Sequence, residues 1–210
     1  MSSEFSISDL VPRYTLGRHT LIHGDCSYPA TLRLARGTQP IALMVMDVPF
    51  MGWSDVPAYL AWAHAWWDVV EQVQPARVLW WTHLNLLEVL THASLHYVAA
   101  EISLLQYENA PTAEAMIFML RQERNGQNMT MVNREYTKKA STWHPAAKDP
   151  DMLVPFLKRL APGSIVLDPT AGSGSTLWAC EHTGHTAICI ESHKEYITNL
   201  REDWHEAKVD

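Results

Sequence analysis

The chain has 210 residues, a net charge of -7 and a sequence pI of about 5.8. Hydrophobic residues make up 47% of it and charged residues 19%, which excludes a chain that is disordered by composition and predicts one domain with a full core. The acidic balance excludes a free-standing basic nucleic-acid-binding module, so nucleic acid would have to bind through a local basic patch or with another subunit's help.

The cysteines and the chain's start restrict the class of protein further. The three cysteines, Cys26, Cys180 and Cys189, form no CxxC pair, so we expect neither a disulfide framework nor a zinc site. This usage fits a reduced, cytoplasmic compartment. Residues 1–19 show no signal-peptide pattern, and no apolar run reaches the roughly 20 residues that span a membrane. We therefore expect no membrane partner and no bound metal.

The first part of the chain alternates predicted strands with predicted helices. Residues 19–26 are typical of a strand that runs into a Gly-Asp turn, and residues 28–37 of a short helix closed by a glycine. The continuous apolar run within residues 40–50 predicts a buried strand of a parallel sheet. The pattern then predicts, in order, a helix, a strand, a helix and two last strands of the sheet, at residues 56–73, 77–82, 84–95, 97–108 and 113–124.

The second part begins with polar sequence and then returns to alternating elements. Residues 125–143 have no apolar period, and we interpret them as a loop. Residues 149–160 predict a helix, and residues 163–184 a strand, a glycine-rich turn and a helix. A strand that ends in an acid follows at 185–192, and a last helix at 193–206. The alternation predicts a single α/β domain, a three-layer sandwich with a mostly parallel sheet.

The glycine-rich turn has the geometry that holds a ligand at a helix N-terminus. Gly172 and Gly174 let the backbone come close to a ligand. The sequence after Gly174 contains no Gly-Lys-Ser, which excludes a Walker-type phosphate loop, and Leu177 stands where a dinucleotide fingerprint requires a small residue. Asp168 at the strand end would repel a pyrophosphate but suits a cationic ligand. S-adenosylmethionine (SAM) carries both a sulfonium and an ammonium group.

Two other strand ends carry candidate functional groups. Glu191 ends the next strand, about 20 residues after the turn, where an acid can accept hydrogen bonds from ribose hydroxyls; the alternative is a solvated strand-end acid. Asp47, Pro49 and Phe50 close the buried strand at residues 40–50. The carboxylate can accept a hydrogen bond from an amino group, and the ring can stack on a planar base, as in base-flipping enzymes. The alternative is a turn with a core phenylalanine.

Together these segments resemble the amino-group DNA methyltransferases, which make N6-methyladenine or N4-methylcytosine. Residues 20–26 resemble the family's opening segment, and residues 47–50 its catalytic Asp-Pro-Pro-Tyr/Phe motif. Residues 144–148 resemble its His-Pro-x-x-Lys segment, and residues 167–176 its SAM loop. The catalytic motif precedes the SAM loop here, which resembles the circularly permuted order of the β class. The resemblance implies a Rossmann-like SAM-dependent methyltransferase fold.

The resemblance also implies a role for each site residue. Asp47, Pro49 and Phe50 would hold the amino group and the ring of a flipped base, and Asp rather than Ser at position 47 favours adenine N6 over cytosine N4. Direct transfer of the methyl group requires no metal. The residues implied to bind SAM are Asp25, Cys26, His144, Pro145, Lys148, Asp168, Pro169, Thr170, Gly172, Ser173, Gly174, Ser175 and Glu191.

The resemblance divides the single domain 1–210 into a catalytic half, 19–124, a loop or reduced target-recognition segment, 125–143, and a SAM-binding half, 144–210. The chain departs from the family at Val48, where proline is usual, and in the shortness of its recognition segment. We therefore expect low or unusual sequence specificity on DNA. Two alternatives stay open: a weakly active or inactive SAM-fold partner subunit, and an RNA-base methyltransferase.

Two further expectations concern the chain's surroundings. Nine Trp and nine Met would suit the interface of a homodimer. A compact enzyme with a short recognition segment suits a phage, a mobile element or a restriction-modification system. The cytoplasm of a bacterium or of a phage-infected host cell would then be its location.

Overall fold

The computed structural model describes residues 11–47, 70–83, 97–107, 114–121, 130–136 and 143–207, with the single positions 57, 61, 67 and 68. Its strands are β1 (Arg13–Leu16), β2 (His19–His23), β3 (Leu43–Asp47), β4 (Arg77–His83), β5 (Tyr97–Tyr107), β6 (Glu114–Arg121), β7 (Thr130–Tyr136), β8 (Ile165–Asp168) and β9 (Thr186–Glu191). Its helices are α1 (Pro29–Arg36), α2 (Val154–Leu157), α3 (Ser175–Thr183) and α4 (Lys194–Glu206), and a 3-10 turn, Pro150–Met152, precedes α2.

The described strands form one nine-stranded sheet in the order β1-β2-β9-β8-β3-β4-β6-β5-β7. Neighbours run parallel all the way from β2 to β4. Strands β1 and β6 are antiparallel to their neighbours, and β7 runs parallel to β5. The sequence prediction of an α/β fold with a mostly parallel sheet is therefore confirmed, and the carboxyl ends of β2, β9, β8, β3 and β4 meet at one edge.

Helices cover both faces of the sheet because its side chains alternate between two cores. Leu43 and Val45 of β3 belong to the core that the helices α2, α3 and α4 close. Met44 and Met46 belong to the core on the opposite face, which α1 and the helical residues around Trp67 close. This arrangement is the three-layer sandwich that the sequence predicts.

The loop prediction for residues 125–143 is wrong for residues 130–136, which form strand β7. This strand depends on backbone pairing with β5 rather than on an apolar period of its own, so its sequence carries little sign of it. The prediction of one helix over residues 149–160 is also wrong. Pro155 has no N–H to donate back to the 3-10 turn, so α2 begins separately from that turn.

Some sequence predictions concern residues that the structure does not describe or describes only in part. The helix predicted at residues 84–95 and the motif residues 48–50 lie outside them. The predicted helix 56–73 is helical at each of its described positions, among them residues 70–73. Within the described part of the chain, no helix has the length and apolar character needed to cross a membrane.

Candidate active site

Three carboxylates lie on one face of the sheet at its carboxyl edge. Asp47 is the last residue of β3, Asp168 of β8 and Glu191 of β9. Each carboxylate lies two residues after a buried residue of the core beside α2, α3 and α4. Side chains two positions apart on a strand point to the same face of the sheet, so all three carboxylates lie on that face. Those core residues are Val45, Val166 and Cys189. Adjacent strands are only about 4.8 Å apart, so the three carboxylates form one acidic group.

Asp168 is the most buried member of this group, at 4% exposure. Its Oδ1 accepts the N–H of Thr170 at 2.9 Å, and its Oδ2 accepts the hydroxyl of Thr176 at 2.5 Å. Burial raises the pKa of Asp168 to about 7; the two hydrogen bonds oppose this rise, while Asp47 and Glu191 add to it. Both oxygens of Asp168 thus fasten the turn between β8 and α3.

The turn itself needs glycine at two positions. The N–H of Gly172 donates to Oε2 of Glu191 at 2.9 Å, and a Cβ at Gly172 would lie 2.9 Å from Nε2 of His144. Gly174 has a φ of +79°, and a Cβ there would collide with Leu200 of α4. The backbone of the turn is therefore held between β9, the His144 ring and α4 at the start of α3.

The other predicted residues of the turn lie around this backbone. Pro169 is buried and Thr170 is partly buried. The hydroxyls of Ser173 and Ser175 are 3.3 Å apart. The second of these hydroxyls donates to the carbonyl oxygen of Lys148 at 2.7 Å, which fastens the 144–148 segment to the first residue of α3.

Glu191 joins the turn to the segment after β9. Its Oε1 accepts the N–H of His193 at 2.8 Å and lies 3.0 Å from Nδ1 of the same residue, whose side chain is 71% exposed. Its carbonyl oxygen accepts the N–H of Gly24, which follows β2, at 2.9 Å. His193 was not predicted from the sequence; its one signal is its position two residues after a strand-end acid, where the chain turns into α4.

The end of β2 adds two more predicted residues to this edge. Asp25 is exposed, and its Oδ1 accepts the N–H of Ser27 at 2.8 Å, which starts the turn into α1. Burial is the main cause that raises the pKa of the Cys26 thiol to about 12, and Asp25, Glu191 and Asp168 raise it further. The thiol therefore stays protonated at neutral pH and lies close enough to these carboxylates to feel their charge.

The segment 144–148 folds as a tight turn. The N–H of Ala147 donates to the carbonyl oxygen of His144 at 3.3 Å, and the N–H of Ala146 donates to its Nδ1 at 3.2 Å. Burial lowers the pKa of His144, although Glu191 and Asp47 oppose this. The imidazole is thus neutral, with its proton on Nε2, and it lies 4.7 Å from the ring of Tyr196. Pro145 is exposed.

Lys148, the last residue of this segment, reaches the end of β3. Its Nζ lies 3.2 Å from Oδ2 of Asp47, and their side chains are only 14% and 28% exposed. The same Nζ lies 4.8 Å from the centroid of the Trp81 ring on β4. Asp47 therefore has a cationic partner from a distant part of the sequence, while Pro49 and Phe50 of its motif lie outside the described residues.

The structure thus brings together one set of predicted residues and adds others. Asp47, Lys148, Asp168, Glu191 and His144 converge at a single edge, with the glycine turn between them. The contacts that the sequence analysis missed come from Trp81, Thr176, His193 and Tyr196. Among the described residues, no group of three or more His, Cys, Asp or Glu side chains could hold a metal ion.

A family model for DNA methylases of the N6/N4 type matches residues 95–202, just over half of the chain. The match includes the 144–148 segment, the glycine turn, Glu191 and most of α4. It does not include β3 with Asp47. No protein of curated function matches this sequence at a significant level.

Several solved structures share the fold. The M1.HpyAVI–SAM complex is 17% identical, with a TM-score of 0.64 over 87% of this chain and 98% of that one. The cytosine-N4-specific PvuII DNA methyltransferase is 13% identical, with a TM-score of 0.71 over 90% and 86%. A Thermus thermophilus protein in complex with SAM is 15% identical, with a TM-score of 0.60 over 83% and 92%.

Proposed function

The chain belongs to the DNA methylases of the N6/N4 type, and on that premise we propose that it transfers the methyl group of SAM to adenine N6 in DNA. The class of reaction, SAM-dependent methylation of an amino group on a DNA base, follows from the family. The observation that supports the finer assignment is the carboxylate of Asp47, which lies on the same edge and face of the sheet as Glu191 and the glycine turn.

The cofactor is SAM, and the residues around the turn fit it. Because residues 172 and 174 are glycines, His144 and Leu200 pack directly against the backbone of the turn, which fixes the turn at the start of α3, where a ligand can bind. The oxygens of Glu191 accept the N–H groups of Gly172 and His193, and Oε2 keeps a second lone pair that can accept a ribose hydroxyl. Cys26 and Asp25 lie beyond Glu191 at the end of β2. The acidic group around Asp168 favours a ligand whose reacting end is cationic.

Bound SAM supplies an electrophilic methyl group on its sulfonium. The chain itself positions the target amino group. Asp47 accepts an N–H of this group and turns the nitrogen lone pair towards the methyl group. The same carboxylate stabilises the positive charge that develops on the nitrogen during transfer. The resemblance of residues 47–50 to the family's catalytic motif supports a stacking role for Phe50 on the flipped base.

The charge of the site favours this reaction over other chemistry. The thiol of Cys26 stays protonated at neutral pH because burial and three nearby carboxylates raise its pKa, so it is a poor nucleophile. The Nδ1 of His144 already accepts the N–H of Ala146 at 3.2 Å, so the lone pair of this imidazole is engaged. The acceptor at the reacting centre is therefore Asp47. Cytosine N4 is the second candidate target, because the cytosine-N4-specific PvuII enzyme has the same fold.

The deciding experiment identifies the product. The purified chain is incubated with methyl-labelled SAM and with unmethylated double-stranded DNA, single-stranded DNA or RNA, and the nucleic acid is digested to nucleosides. We expect label in N6-methyladenine from DNA. Label in N4-methylcytosine would show that the target base is cytosine, and label in RNA alone would show that the substrate is RNA. SAM binding without any transfer would identify the chain as a partner subunit and contradict the proposal.

A further inference from the structure

The ion pair between Lys148 and Asp47 connects two segments that are far apart in the sequence. Nζ and Oδ2 are 3.2 Å apart, and the side chains are 14% and 28% exposed. Salt screens a sheltered pair of this kind much less than it screens a surface pair. If the lysine is removed, the aspartate loses its cationic partner and the contact that fixes its Oδ2.

Trp81 holds the ammonium group of Lys148 from the neighbouring strand, β4. It is the register partner of Asp47 on the neighbouring parallel strand, and it is 2% exposed. The centroid of its ring lies 4.8 Å from Nζ of Lys148, within the range in which a ring face attracts a cation. The ammonium is therefore held by groups from two adjacent strands, which restricts it to one place.

The backbone of Lys148 is fixed from the cofactor side. Its carbonyl oxygen accepts the hydroxyl of Ser175, the first residue of α3, at 2.7 Å. The next residue, Asp149, caps the 3-10 turn by accepting the N–H of Asp151 at 3.0 Å. The residue thus touches the cofactor turn with its main chain and the reacting carboxylate with its side chain.

We propose that Lys148 is a positioning residue for methyl transfer. Its ammonium holds Oδ2 of Asp47, so that Oδ1 is presented to the amino group of the target base. This inference rests on the function proposed above. A carboxylate with one oxygen fixed has less rotational freedom to lose when the base arrives, which lowers the barrier to transfer. The cation also offsets repulsion between Asp47 and the acids that end β8 and β9.

The kinetic test compares four proteins: wild type, Lys148→Met, Lys148→Arg and the matched control Lys158→Met, which changes an exposed lysine. We expect Lys148→Met to lower kcat by about 10- to 100-fold, the usual cost of a misplaced reacting group. The KM and Kd for SAM should stay within about twofold of wild type, because the lysine acts on the aspartate. Lys148→Arg should restore most of the activity, and Lys158→Met should behave like wild type.

Two kinetic results would overturn the positioning role. The first is a Lys148→Met protein that keeps the wild-type kcat at saturating SAM but has a raised KM for SAM, because Lys148 would then bind the cofactor. The second is a Lys148→Arg protein, folded by circular dichroism, that is as slow as Lys148→Met. Thermal unfolding of each variant shows whether a lost activity reflects a lost fold. If Lys148→Met does not fold, the activity of Lys148→Arg and the lysine labelling described below decide whether Lys148 positions Asp47.

A measurement without turnover tests the ion pair itself. Brief acetylation of lysines, read by mass spectrometry, should modify Lys148 more slowly than Lys158 in the wild type. Asp47→Asn should remove this protection; unchanged protection would contradict the pair. If the wild type is inactive on every nucleic acid while the protection depends on Asp47, the proposed function fails, and the positioning role fails with it. A Lys148→Met protein with the wild-type kcat contradicts the positioning role alone.

Discussion

Asp47 and Asp168 end neighbouring parallel strands on the same face of the sheet, but their surroundings give them different tasks. Asp168 is 4% exposed, and both of its oxygens accept donors from the turn that follows it. The side chain of Asp47 is 28% exposed and pairs with a lysine from another segment. A position at the carboxyl edge therefore does not by itself make an acid available to a ligand; the donors in the following residues decide that.

Removing each acid in turn should separate their two tasks. We expect Asp47→Ala to lower methyl transfer by about 100- to 1,000-fold, the cost of deleting one preorganised polar group at a reacting centre. SAM binding, measured by calorimetry, should be unchanged. Asp168→Ala should instead weaken SAM binding and lower the free energy of unfolding by about 1–3 kcal/mol, because two donors of the turn lose their acceptor.

The control for both variants is Asp151→Ala. Asp151 is an exposed acid that contributes its backbone N–H, rather than its carboxylate, to a hydrogen bond of the fold. This variant should match wild type in transfer and in SAM binding. Wild-type transfer by Asp47→Ala would remove the catalytic assignment and, with it, the difference between the two acids.

The stability that Asp168 contributes should depend on pH. Burial raises the pKa of Asp168 from 3.8 to about 7. The folded state holds this proton more tightly than the unfolded state, so the stability it contributes is complete below the unfolded pKa. That stability is lost as the pH rises towards the folded pKa, with a slope on the order of 1 kcal/mol per pH unit. Asp168→Asn keeps the shape of the side chain but has no proton to lose.

Urea unfolding of both proteins across this range measures the difference. Relative to Asp168→Asn, the wild type should lose stability as the pH rises from about 4 to about 7. Two curves that run parallel would show that Asp168 titrates alike in the folded and unfolded states. The description of Asp168 as a buried acid would then be wrong.

The last prediction concerns the turn behind Asp168. Gly174 and Gly184 have nearly the same backbone conformation, with φ of +79° and +76°, but a Cβ meets Leu200 at Gly174 and nothing within 4 Å at Gly184. Gly184→Ala should cost about 1–2 kcal/mol of unfolding free energy for the backbone alone. Gly174→Ala should cost about 1–3 kcal/mol more, because α4 has to move. Equal losses in thermal unfolding would show that α4 does not fix the turn.

Local signals explain why much of the site could be predicted from the sequence. The apolar run before Asp47 predicts a buried strand, and the glycines after Asp168 predict a turn that leads into a helix. These signals are local because they depend on residues within a few positions of each other. The same is true of Glu191, which ends the strand after that helix.

The contacts that could not be predicted depend on the pairing of distant segments. Trp81 lies beside Asp47 only because β3 and β4 pair in one particular register. Thr176 reaches Asp168 because the turn folds back on itself. Strand β7 likewise depends on its pairing with β5, and a polar sequence with no apolar period gives no sign of that partner.

Strand β1 and the glycine that follows it pack against α4, near the other end of the described chain. A Cβ at Gly17 would lie 3.2 Å from the Trp204 ring, and the guanidinium of Arg201 lies 4.1 Å from the centroid of the Tyr14 ring. The first and last described elements are thus neighbours in space. A gene that joined them through a short linker, and opened instead between β7 and His144, would encode the 144–148 segment and the cofactor turn ahead of the strand with Asp47. The sheet order, and every contact of the site, would be the same.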